Sequence, residues 1–142
     1  MFLFYFSMAL TILSGALYHV FQKLTPGNVH PLLAMVVTYV TAMITCLVLL
    51  TFYPPKTGLV ESLRQLNWAS FTLALAIVGL EIGFLLAYRA GWNISLGAIV
   101  SNVAVAIVLV PVGLLFFKEK ISLVNFIGVV VCIAGLVMIN HK

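Results

Sequence analysis

Five near-continuous apolar stretches, separated by short polar breaks, leave this chain few folds to choose from. They cover residues 2–22, 32–53, 68–89, 96–117 and 123–139. At about 1.5 Å per residue a twenty-residue helix spans roughly 30 Å, the thickness of a bilayer's hydrocarbon. In lipid every backbone N–H and C=O must be paired within the protein, which an apolar run of this length achieves only as a helix. Composition points the same way: 64% of the 142 residues are hydrophobic and 7% charged, against roughly a quarter charged in a soluble domain. The sequence predicts an all-α integral membrane protein with five membrane helices in a single transmembrane domain, residues 1–142.

The formal charge of +4 comes from seven Lys and Arg set singly at segment ends. No basic cluster is present, and nucleic acid is excluded as a partner. Cys46 and Cys132 fall inside apolar runs without disulfide or metal spacing, so they read as small apolar filler. The first run follows no Lys or Arg and exceeds a secretory core in length, which makes it a retained helix. With no nucleophile–base constellation, no paired carboxylates and no metal-ligand spacing, an enzyme, a cofactor and a metal are not expected.

Polar residues within the apolar runs carry the functional signal. In the first run Ser7, Thr11, Ser14, Tyr18 and Gln22 recur at spacings of three and four, with His19 beside them. Such a stripe must face another helix or a watery cavity. Packing alone explains it equally well. A TPGN turn leads to the second run, where Thr38, Thr41 and Thr45 share a face with Ala34 and Ala42 and suggest close helix contact. Residues 54–67 form the one sizeable polar loop, with a short interfacial helix expected at 60–66. The third run is bounded by Trp68 and Tyr88, rings suited to the interface, and contains GLEIG, with Gly79 and Gly83 flanking Glu81. Arg89, about 12 Å further along, is too far for an intrahelical ion pair and is expected to snorkel. The GWNIS turn carries an N-x-S sequon at Asn93 that nothing else supports. The fourth run holds Ser101, Asn102 and Pro111, which is expected to kink it; the fifth carries Gly128 and Gly135. Asn140, His141 and Lys142 are expected to end the chain in water.

Glu81 is the one acidic residue inside any of these runs. An ionised acid at the bilayer centre costs about 3 kcal/mol on insertion scales. Protonating a glutamate of reference pKa about 4.3 at pH 7 costs roughly 3.7 kcal/mol. The near balance makes a carboxyl that changes state with modest changes in hydration, as proton coupling or cation binding requires. Candidates to line a cavity with it are Ser14, Tyr18, His19 and Gln22 of the first helix and Asn102 of the fourth. The alternative is a protonated Glu81 that merely ties helices together through Asn102, Tyr18 or a backbone carbonyl.

The segment from Pro111 to Leu136, PVGLLFFKEKISLVNFIGVVVCIAGL, combines a proline helix, a charged turn with Glu119 and a glycine-rich helix. It resembles the EamA-type unit of the drug/metabolite transporter superfamily. The resemblance implies that these elements close one five-helix half of a ten-helix carrier and that Glu119 is a turn residue, not a transport site. Small multidrug-resistance carriers of that superfamily place an acid on their first helix; this first helix has none, so that role does not carry over.

Half a carrier needs another half. Five spans place the termini on opposite sides, with Lys56, Arg64, Lys118 and Lys120 on one and Lys23, Arg89 and Lys142 on the other. Four against three is a weak orientation bias, so insertion both ways and an antiparallel homodimer are expected, or pairing with a separate half-size subunit. Two Glu81 side chains near the two-fold axis would then couple their titrations. The expected function is secondary-active transport of a small molecule, a drug or metabolite, across the cell (inner or plasma) membrane by alternating access coupled to protons. Aromatic walls would suit a cationic amine, and a neutral metabolite suits the polar stripe. A dual-topology channel and a non-transporting subunit or lipid-binding module are the alternatives.

Overall fold

A computed structural model describes residues 1–120 and 122–140 of the chain. Six helices follow one another: α1 (Phe2–Leu24), α2 (Pro31–Phe52), α3 (Leu59–Arg64), α4 (Trp68–Arg89), α5 (Ile94–Phe116) and α6 (Leu123–Asn140). No strand occurs among the described residues. Helices α1, α2, α4 and α5 are long and apolar enough to cross a membrane, and α6 is apolar over Leu123–Gly135. The protein is therefore a multi-pass membrane protein. The ends of α1, α2, α4, α5 and α6 lie within two residues of the ends of the apolar runs, and α3 is a short helix in the polar loop. His141 and Lys142, expected in water, lie outside the described residues.

Local chemistry sets the helix ends. Pro31 opens α2 at the first helical position, where its missing N–H is not needed. Asn67 caps α4 by accepting the Ala69 N–H at 3.0 Å. After α4 the chain turns through Gly91 at φ 101°, a left-handed position that a side chain would strain.

The chain divides into two compact units, Met1–Ala90 and Gly91–Lys142. In the first, α4 packs against both α1 and α2, and its buried apolar side chains are Met35, Leu85 and Tyr88. Thr38, Thr41 and Thr45 do not make the helix contact expected of them. Each hydroxyl donates to the carbonyl four residues back, at 2.8–3.1 Å, and the face is exposed. The short polar side chain can satisfy itself within its own helix, so it needs no neighbour. The glycines of GLEIG are likewise unused within the chain: a methyl group placed on Gly79 or Gly83 would meet nothing within 4 Å.

The second unit is the α5/α6 pair. Pro111 lies inside α5, which runs on through it as one helix. Lys118 takes a left-handed conformation at φ 52°, and the Glu119 N–H turns back to the Gly113 carbonyl at 3.0 Å. The Glu119 side chain folds over Gly113, where an added Cβ would come within 2.6 Å of Oε2. Glu119 thus sits in the turn and closes the end of α5. Ser122 then caps α6, accepting the Asn125 N–H at its Oγ, 3.2 Å away. Cys46 and Cys132, expected as buried filler, are free and exposed on their helices.

Candidate functional site

The polar stripe of α1 divides into two halves with different fates. At the start of the helix, Ser7 and Thr11 donate to the carbonyls of Phe4 and Ser7 at 3.0 and 2.9 Å, and are satisfied without a neighbour. Ser14 is exposed. Toward the end of the helix the stripe turns onto α4. Gln22 Nε2 donates to the backbone carbonyl of Glu81 at 2.8 Å. The Tyr88 hydroxyl and His19 Nδ1 share a hydrogen bond of 2.8 Å. Lys23 Nζ donates to the Tyr88 carbonyl at 3.0 Å and lies 5.7 Å from the centre of the Tyr88 ring.

An aromatic cluster fills the space between these bonds. Phe84 meets His19 edge-on at 4.7 Å and Tyr18 at 5.9 Å, and stacks on Tyr88 at 5.9 Å. Edge-on and offset contacts of this kind are the favourable arrangements for ring quadrupoles. Arg89 completes the end of the unit. Rather than snorkelling free, it reaches over to the turn between α1 and α2 and donates to the carbonyls of Pro26 and Val29 at 3.0 and 2.8 Å.

Beneath this closed end lies Glu81, partly buried on α4, the helix that packs against both α1 and α2. Two partly buried phenols of the same unit, Tyr18 of α1 and Tyr39 of α2, interact electrostatically with Glu81. Both hydroxyls are buried without a hydrogen-bond partner among the described residues. A buried hydroxyl in that condition is costly.

Of the six residues singled out from sequence, Tyr18, His19, Gln22 and Glu81 come together here. Ser14 stays on the exposed face of α1. Asn102 belongs to the second unit, where with Asn125, Gly128 and Cys132 it lines a groove of about 470 Å³ between α5 and α6. Sequence reasoning missed Tyr39, Phe84 and the hydrogen-bonding role of Tyr88. Tyr39 follows Thr38 in a helix whose threonine face drew the attention, while Tyr88 read as an interface ring. The available signal was spacing: Phe84 and Tyr88 lie three and seven residues beyond Glu81, close to whole turns of a helix.

The chain is 26% identical over 111 residues to an uncharacterised protein of Methanocaldococcus jannaschii, an alignment covering 78% of this chain and 77% of that one. No solved structure matches. The model of the EamA-like transporter family matches residues 2–141, essentially the full length. The chain belongs to the EamA-like transporter family.

Proposed function

We propose that the protein is a secondary-active transporter of a small drug or metabolite in the cell membrane, working by alternating access with Glu81 as its proton-exchanging carboxyl. The observation that carries this is the environment of Glu81: a lone acid in a membrane helix, partly buried, in a unit that also holds two buried hydroxyls, those of Tyr18 and Tyr39, without a hydrogen-bond partner among the described residues. Family membership supports small-molecule transport, and the intramembrane carboxyl supports proton coupling. In this reading substrate entry displaces the proton from Glu81, and the cavity then opens to the other side. Tyr18, His19 and Gln22 remain the proposed lining, with Tyr39 added.

The working unit is proposed to hold ten helices, supplied by five spans from each of two chains, α6 being the fifth. An antiparallel homodimer fits the weak charge bias between the two sets of loops; a separate half-size subunit would complete the ten in the same way. Reporter fusions after residue 142 appearing on both sides of the membrane are expected for the homodimer, and a single orientation contradicts it. For transport, the test uses proteoliposomes with a pH dye inside and imposed gradients of amines and neutral metabolites. At least one compound should drive proton flux that Glu81→Gln abolishes. Compound flux that Glu81→Gln leaves intact would contradict the coupling.

A further inference from the structure

Helix α3 carries an apolar face, and no other helix packs on it among the described residues. Leu59, Leu63 and Leu66 recur at spacings of four and three, with Val60 beside them, and all four are 54–68% exposed. The Leu66 N–H bonds to the Leu63 carbonyl at 3.2 Å, so the turn carries on past Arg64 and keeps Leu66 in line. Ser62 donates to the Gly58 carbonyl at 2.8 Å and is satisfied within the helix. By helical spacing Glu61, Arg64 and Gln65 fall on the opposite side, where Arg64 and Glu61 form a loose ion pair at 3.9 Å.

The connections of α3 fix where this face lies. Six residues join α2 to α3 and three join α3 to α4; three residues span about 10 Å even when extended. Both flanking helices are long and apolar enough to cross the membrane. At the junctions Tyr53 and Trp68 are exposed, rings of the kind that settle at the headgroup level. The leucine face is thus held at the bilayer surface, continuous with the exposed start of α4, and Lys56 and Arg64 are matched in charge to lipid phosphates. We infer that α3 is a lipid anchor: its leucine face docks into the headgroup–acyl boundary, Lys56 and Arg64 stay with the phosphates, and the joined ends of α2 and α4 are thereby held at a fixed depth. These ends need such a support. Residues 40–53 and 68–77 are all exposed, and Thr51 and Thr72 bond only within their own helices. A helix this short binds an interface feebly when free; the tethers on both sides make the docking of α3 an intramolecular event.

Spin labels read the docking in the full-length protein, in liposomes of phosphatidylethanolamine and phosphatidylglycerol, on a Cys46→Ser, Cys132→Ser background. A label at Leu63→Cys should be relaxed more by oxygen than by a water-soluble nickel chelate, and a label at Glu61→Cys the reverse. Hydrogen exchange reads the anchoring. Leu59→Ser combined with Leu63→Ser should speed exchange about tenfold across residues 49–53 and 70–75 and leave residues 26–33 unchanged, which shows that the unit is still folded. Glu61→Ser should change neither region. Equal access of the chelate to both labels overturns the inference. So does a label at position 63 shielded from both reagents, the signature of a protein partner on that face, and so does unchanged exchange in the double serine variant.

Discussion

The two ends of the first unit are built from the same three helices and behave as different materials. At the end formed by residues 18–30, 35–39 and 81–89, Met35, Leu85 and Tyr88 are buried, rings interlock, and Lys23 and Arg89 donate to backbone carbonyls. At the other end, residues 2–14, 40–53 and 68–77 are all exposed, and hydroxyls there bond only within their own helices. Both ends are apolar, so hydrophobicity does not distinguish them. The difference is that one end has side chains of unlike size and polarity that fit one another, which is what holds helices together where lipid is as apolar as leucine. Glu81 sits at the boundary, close enough to the fixed end to be positioned and next to a part of the unit with little to restrain it.

Substitutions can break or sharpen this contrast. Leu85, 2% exposed, is the best-buried large side chain; Leu85→Ala should cost about 2 kcal/mol of unfolding free energy in mixed micelles. Leu75→Ala, at a site 72% exposed, should cost less than about 0.5 kcal/mol. Equal costs would erase the distinction between the ends. Arg89→Met removes two bonds from a charged donor and should cost about 2 kcal/mol, with faster amide exchange across residues 26–33 and none across 68–75. Tyr88→Phe gives up the His19 bond alone, for about 0.6–1 kcal/mol. Smallest of all, Gly79→Ala fills open space and should change stability by less than about 0.5 kcal/mol. A large loss at Gly79, or loss of a dimer in crosslinking, would show that a second chain packs on that glycine.

Much of the fold was legible because the lipid constraint is severe. An apolar run of twenty residues has one way to pair its backbone, so α1, α2, α4 and α5 follow from length alone. The EamA resemblance was legible from the segment following Pro111, where Lys118 and Glu119 form the turn. Glu81 stood out because an acid in such a run demands an explanation. Its neighbours were less visible. Tyr39 and Glu81 lie 42 residues apart, and helical periodicity says nothing of which face of one helix meets which face of another. The threonines misled for a related reason: Thr38, Thr41 and Thr45 share a face, yet their hydroxyls reach their own helix's carbonyls first. Arg89 was assigned to water because no carboxylate lay within reach along α4. Its partners are the carbonyls of Pro26 and Val29, which no charge pattern announces.

The central claim is that Glu81 exchanges a proton when substrate enters. Proton release from solubilised protein tests it most directly, measured in weak buffer as amines and neutral metabolites are added in turn. The native protein should release protons with a compound that binds, and Glu81→Gln should release none. A compound that binds the native protein without proton release at any pH, or releases protons equally from Glu81→Gln, would contradict the account.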